Sequence, residues 1–247
     1  MDLLLVDISN TRTKLAPSDG ETIGEKFIVP TKELSEKSLR KLLKTKGLDD
    51  PKCVVVSSVV PKRNGALTDL WGNRVTLIDH HTDLGIRIDY PFPEQIGADR
   101  LANAVATASI AGSPSIAVDF GTAVTFDVIG QQDGQPAYLG GVIAPGLEAM
   151  TNYLHKRTAL LPKLDLEQPP SAIGKSTVHA MLTGAVIGYR GLVKEILAEV
   201  EAEMNCESPV PVLATGGNAH LICGGIPQIQ TIESNLTLEG LRIIGGR

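Results

Sequence analysis

Leu3-Leu4-Leu5-Val6-Asp7-Ile8-Ser9-Asn10-Thr11 and Ile116-Ala117-Val118-Asp119-Phe120-Gly121-Thr122 follow one pattern: an apolar run, an aspartate, a small residue and a threonine. Each copy reads as a buried strand entering a tight turn, where backbone N–H groups and a hydroxyl can meet an anion and the carboxylate can hold a cation beside it. Similar elements follow each copy. After Asp7, strands are expected near residues 12–16 and 22–29, then a helix running from a Thr31 cap to Gly47. A strand at 53–58, a proline-started helix at 61–70, a strand at 75–78 and an alanine-rich helix at 99–111 complete the first series. After Asp119, strands at 124–129 and 137–142 precede a helix from about Pro145, a long helix at 177–204, strands at 210–214 and 229–232, and a closing helix at 236–244. A repeated run of three antiparallel strands and then alternating helices and strands predicts two similar α/β domains with a cleft between them. The division falls near residues 112–115, giving domains of residues 1–114 and 115–247.

Composition narrows the partners. The net charge is −5 and basic residues are dispersed, so no electrostatic footprint for nucleic acid is present. Cys53, Cys206 and Cys223 are odd in number, widely spaced and without a C-x-x-C pair, which points to a reducing compartment, with the cytoplasm as the default. Residues 1–6 are too short for a signal sequence and no other run is long enough to span a bilayer, so neither export nor a membrane is expected.

Phosphoryl transfer is achieved chiefly by positioning and charge neutralisation, and needs turns that cradle phosphates, a carboxylate for a metal, and a base aimed at the acceptor hydroxyl. The two hairpins supply the first two. Between them, Tyr90-Pro91-Phe92-Pro93-Glu94-Gln95-Ile96-Gly97-Ala98-Asp99-Arg100 delivers a carboxylate and a guanidinium side by side at the start of a helix. Asp99 there can cap the helix or accept a substrate proton, and the planar fork of Arg100 suits a carboxylate. Gly140-Gly141 with Pro145-Gly146, and Thr215-Gly216-Gly217, are glycine turns before helices, a setting that can face a nucleotide or serve the chain alone. Ile173-Gly174-Lys175-Ser176-Thr177 imitates the end of a P-loop, but Pro169 stands where its first glycine is needed and no strand precedes it. Asp79-His80-His81 lacks a further ligand at metal-binding spacing and reads as a solvated loop.

In their order, Asp7 to Lys14, Ser57-Ser58-Val59-Val60-Pro61, Tyr90, Gly97-Ala98-Asp99-Arg100, Asp119-Phe120-Gly121-Thr122-Ala123, Gly140-Gly141 with Pro145-Gly146, Gly174 with Thr177, and Thr215-Gly216-Gly217 resemble the type III pantothenate kinases of the actin-like, ribonuclease-H-like kinase superfamily. The resemblance implies duplicated ribonuclease-H-like domains and ATP-dependent phosphorylation of pantothenate, the first step of coenzyme A biosynthesis. It implies that Asp7, Ile8, Ser9, Asn10, Thr11, Arg12, Thr13, Lys14 and Thr122 bind ATP, with Asp7 near a divalent cation such as Mg²⁺. Asp99 becomes the proton acceptor, and Tyr90, Gly97, Ala98, Asp99 and Arg100 bind pantothenate. Asp119 is implied to hold a monovalent cation, potassium or ammonium, and Thr177 to reach the substrate of a neighbouring subunit, so a homodimer is expected. The family usually has glycine at position 9. If that position needs positive φ, Ser9 costs on the order of 1 kcal/mol; alternatively its hydroxyl serves a phosphate. Two other readings stay open: a different small-molecule kinase or phosphatase on the same fold, and a metabolite sensor without catalysis.

Overall fold

The computed structural model describes residues 1–48 and 50–247. Its elements begin with β1 (Leu3–Ile8), β2 (Arg12–Ser18), β3 (Phe27–Pro30), α1 (Glu36–Lys46), β4 (Cys53–Ser58), α2 (Gly65–Trp71) and β5 (Val75–Leu77). The middle of the chain forms β6 (Arg87–Ile88), α3 (Ala98–Ala111), β7 (Ser115–Phe120), β8 (Ala123–Gln132), β9 (Gln135–Pro145) and α4 (Leu147–Arg157). It closes with α5 (Thr177–Met204), β10 (Val212–Thr215), α6 (Ala219–Cys223), β11 (Ile229–Ile232) and α7 (Leu236–Gly245). These fold into two units, residues 1–112 with 131–139 and 235–247, and residues 113–130 with 140–234.

In the first unit the strand order is β3-β2-β1-β4-β5, with β1 antiparallel to β2 and parallel to β4. The two central strands are covered on both faces, which is why both are nearly continuous apolar runs. On one face Leu4, Val6, Ile8, Val54 and Val56 pack against Leu39, Leu43, Leu67 and Trp71 of α1 and α2. Alternation sends Asp7 and Ser57, which are register partners, to the other face, where α3 and α7 pack. Gly240 of α7 lets the two helices touch, because any Cβ there would run into the Ala102 carbonyl.

The second unit repeats this order as β9-β8-β7-β10-β11, with β7 antiparallel to β8 and parallel to β10. The duplication expected from the two aspartate turns is therefore a duplication of topology. Ile116, Val118 and Phe120 pack with Val186, Tyr189 and Val193 of α5. The β8–β9 hairpin turns at Asp133 and Gly134, whose φ values of 51° and 77° fit a two-residue turn. Its tip lies in the first unit, where Ala137 and Tyr138 pair in parallel with Arg87 and Ile88 of β6.

Three local expectations need correction. α1 is capped by Ser35, which forms a reciprocal capping box with Ser38, while Thr31 is buried upstream of the helix. The strand expected from Thr22 begins only at Phe27, because the Asp19 carboxylate accepts the Glu21 and Thr22 N–H groups and holds that segment in a turn. The helix expected at 61–70 is a 3-10 turn at Pro61–Arg63 followed by α2. Among the described residues, no helix is long and apolar enough to cross a membrane.

Candidate active site

At the end of β1 the chain buries an ionisable group. Asp7 is 2% exposed, and its Oδ2 lies 3.2 Å from Lys14 Nζ. The antiparallel register that pairs Asp7 with Lys14 puts both side chains on one face, so the ion pair follows from strand geometry. Ser9 Oγ donates to the same carboxylate, 3.2 Å from Oδ1 and 3.3 Å from Oδ2. Ser9 N–H closes the turn on the Arg12 carbonyl at 3.2 Å, leaving Asn10 and Thr11 exposed at the tip. Ser9 is not in the left-handed region, so the backbone cost expected for a serine here does not arise. Its hydroxyl is turned to Asp7.

Thr31 supports this turn from the residue just after β3. Its Oγ1 donates to the Ser9 carbonyl at 2.7 Å and contacts Thr13 Oγ1 at 3.0 Å, and its N–H donates to the Thr11 carbonyl at 3.1 Å. A hollow of about 490 Å³ lies alongside, lined by Asn10, Thr11, Arg12, Pro30 and Lys32. Ile8 points into the core, leaving only its backbone for the turn. The sequence marks Thr31 only as a helix cap and Lys32 not at all, because the pairing of β2 with β3 is what brings them to the hairpin.

The second element of the site is the first turn of α3. Gly97 is the cap residue, and Asp99 Oδ1 accepts the Arg100 N–H at 2.9 Å. That carboxylate folds back over Gly97, where a Cβ would lie 2.5 Å from it, so a side chain at 97 would displace the Asp99 carboxylate. Burial pushes the Asp99 carboxyl above the usual carboxylate range, and the Asp7 charge raises it further. The two aspartates are electrostatically coupled and have different partners: Asp7 faces the Lys14 ammonium, and Asp99 is made more basic chiefly by desolvation. A carboxylate whose proton affinity is raised in this way suits general-base work.

Arg100 places its guanidinium over the Tyr138 ring, 5.6 Å from the centroid. Tyr138 in turn meets Tyr90 edge-on, with centroids 6.2 Å apart. The first unit therefore brings together Asp7 to Lys14, Tyr90 and Gly97 to Arg100. Tyr138 joins them although its sequence setting marked only a strand.

The second hairpin is built differently. Asp119 pairs with Thr125 of β8 on one side and Thr215 of β10 on the other. Gly216 follows with φ 96°, and a Cβ there would lie 2.6 Å from Asp119 Oδ1 and from the Phe120 backbone. Gly146 N–H donates to the Thr122 carbonyl at 3.2 Å, and a Cβ at Gly146 would collide with the carbonyls of Gly121 and Thr122. The two glycine turns that the sequence left open are thus backbone neighbours of this hairpin. Thr122 is exposed at its tip. Thr177 opens α5 and is exposed; the preceding Ser176 caps the helix by accepting the His179 N–H at 3.2 Å, so the P-loop imitation is a helix cap. His80 and His81 stack on each other in a turn held by Asp79.

The family model described as type III pantothenate kinase matches residues 3–199. A type III pantothenate kinase of Akkermansia muciniphila is 49% identical over 247 residues, covering 100% of this chain and 99% of that one. One from Geobacter sulfurreducens is 38% identical, covering 98% and 97%. Among solved structures, an activator of the 2-hydroxyisocaproyl-CoA dehydratase from Clostridium difficile with bound ADPNP is 13% identical, with a TM-score of 0.53 over 100% of this chain and 94% of that one. An ethanolamine utilization protein from Carboxydothermus hydrogenoformans is 15% identical, with a TM-score of 0.56 over 98% and 89%. At these identities the structural likeness shows the fold alone, a mixed α/β fold with two sheets. By family model and by full-length relatives, the chain belongs to the type III pantothenate kinase family.

Proposed function

We propose that this chain transfers the γ-phosphoryl group of ATP to the terminal hydroxyl of pantothenate, giving 4′-phosphopantothenate in the first step of coenzyme A biosynthesis. The observation that carries the chemistry is Asp99, a mostly buried carboxyl whose proton affinity is raised beside Asp7 at the first turn of α3. Asp99 accepts the proton of the attacking hydroxyl. The turn from Asp7 to Lys14, with Thr122 of the second hairpin, holds the ATP phosphates. Lys14 Nζ is a point charge for a phosphate oxygen, and its contact with Asp7 holds it at the hairpin. Asp7 also suits a divalent cation: its buried carboxylate already faces a cation at 3.2 Å. When bound, such an ion neutralises charge on the phosphates. Asp119, beside the carbonyl-rich turn of the second hairpin, holds a monovalent cation, potassium or ammonium.

Arg100 and Tyr90 bind pantothenate, the guanidinium taking its carboxylate and Gly97 to Asp99 lining the hydroxyl end. A carboxylate buried without such a partner would be costly. We further propose a homodimer in which Thr177 reaches the substrate of the neighbouring subunit. In support, α4 and α5 expose Met150, Tyr153, Val178 and Ile187, and space is open above Gly184 and Gly188 of α5. The free thiols Cys53, Cys206 and Cys223 support a cytoplasmic setting. The test is ADP release by purified protein with Mg²⁺ and K⁺. Release that depends on pantothenate is expected; ATP hydrolysis indifferent to pantothenate, or none, would contradict the reading.

A further inference from the structure

We propose that Tyr138 sets the preference of this enzyme for a substrate bearing a carboxylate, by fixing the guanidinium of Arg100 in the orientation that receives it. The inference rests on the assignment of Arg100 to the pantothenate carboxylate.

Arginine has a long stem, and a free guanidinium samples many directions. Bidentate recognition needs its plane held while its N–H edges stay available. A flat aromatic face does this, since stacking occupies the face of the guanidinium and leaves the edges open. Tyr138 offers that face 5.6 Å from the Arg100 guanidinium carbon. The ring itself is immobile, being fully buried on β9. Its residue is also anchored through the backbone, pairing with Ile88 of β6 and accepting the Asp89 N–H at 2.9 Å.

The same pairing positions Tyr90. It follows directly on Asp89, and its ring meets that of Tyr138 at 6.2 Å with the planes 69° apart. One buried residue therefore registers two side chains assigned to the substrate, which come from opposite ends of the loop 90–100. Tyr138 meets the Arg100 guanidinium and the Tyr90 ring, both assigned to the substrate, so its effect falls on recognition. It is a positioning residue acting through Arg100.

The experiment compares kcat/KM for pantothenate with kcat/KM for the uncharged alcohol in which a hydroxymethyl group replaces the carboxylate. Both substrates keep the phosphorylated hydroxyl, and the ratio of the two constants does not depend on how much enzyme is folded. In Tyr138→Leu the ratio is expected to fall about tenfold, through a higher KM for pantothenate with kcat nearly kept. Tyr138→Phe retains the aromatic face and is expected to keep the ratio within about twofold. If Tyr138→Leu does not fold, Tyr138→Met, whose unbranched chain adapts to an irregular space, carries the same expectation. An unchanged ratio in the Leu or Met variant would show a packing role only and overturn the proposal; an equal loss in Tyr138→Phe would assign the effect to the hydroxyl and overturn it too. Arg100→Ala separates the levels. If it leaves the ratio unchanged, the assignment of Arg100 fails, and with it the proposal; if Arg100→Ala collapses the ratio and Tyr138→Leu does not, the proposal alone fails.

Discussion

The two aspartate hairpins share a topology and differ in what shapes them. Around Asp7 the neighbours are side chains: Ser9 Oγ and Lys14 Nζ on the carboxylate, with Thr31 bracing the turn. Around Asp119 glycine backbone closes in: Gly216 against the carboxylate and Gly146 against the carbonyls of the turn. The turns differ in length as well. Ile8 pairs with Thr13, leaving Ser9 to Arg12 between them, whereas Phe120 pairs with Val124, leaving only Gly121 to Ala123. The longer first turn has room to carry its own polar groups, and the shorter second turn has its shape imposed by glycines that arrive from far along the chain. Duplication thus preserved the strand frame while the chemistry of each turn diverged.

This contrast can be broken at several points. Asp7→Asn removes the charge that pairs with Lys14, and turnover is expected to fall by about 10²–10³-fold, as for loss of a positioned electrostatic group. The residual activity carries a pH signature. Asp7 raises the Asp99 carboxyl, so the acid limb of kcat/KM, expected above the usual carboxylate range in the wild type, should move to lower pH in the variant. A limb that does not move would show the aspartates to be uncoupled.

Gly216→Ala tests the backbone side. It combines a left-handed φ with a Cβ too close to Asp119 and Phe120, and a loss of about 1–3 kcal/mol or more is expected in denaturant unfolding. Thr31→Val deprives the Ser9 carbonyl and the Thr13 hydroxyl of a buried partner and should cost about 1–3 kcal/mol, with a rise in KM for ATP as the turn loosens. The smallest effects sharpen the comparison most. Gly121 is not left-handed and an added Cβ would have only ordinary contacts, the nearest 3.4 Å from the Ala123 carbonyl. Gly121→Ser and Ser9→Gly should therefore each change stability by less than about 1 kcal/mol. A large loss in Gly121→Ser would show that the second turn depends on glycine at that position too.

What the sequence made legible follows the same divide. β1 and β7 announce themselves because a strand covered on both faces must be apolar throughout, and the 177–204 helix because its ends carry their own signals, Ser176 before it and the left-handed Asn205 after it. The carboxylate and guanidinium of Asp99 and Arg100 could be read because they are adjacent in sequence. The supports could not. Gly146 and Gly216 meet the second hairpin, Thr31 meets the first, and Tyr138 meets Arg100 only through strand pairing or packing, which leaves no periodic trace along the chain. The cap of α1 was misplaced for a related reason: Thr31 is a good cap residue by type, but its hydroxyl is committed to Ser9, and Ser35 takes the role. α7 belongs with the first unit because Gly240 packs on Ala102, a contact between the two halves of the sequence.

The most direct measurement is made on Asp99→Asn, comparing pantothenate-dependent ADP release with pantothenate and ATP binding by calorimetry, and recording thermal unfolding at neutral pH. Asp99 carries a raised pKa in the folded state, so its ionised form lowers stability as pH rises above the ordinary carboxylate range, and the amide removes that burden. The expected result is a fall in turnover of about 10²–10⁴-fold with both ligands still bound and a higher Tm than the wild type. Turnover within about tenfold of the wild type would contradict Asp99 as the base that activates the acceptor hydroxyl.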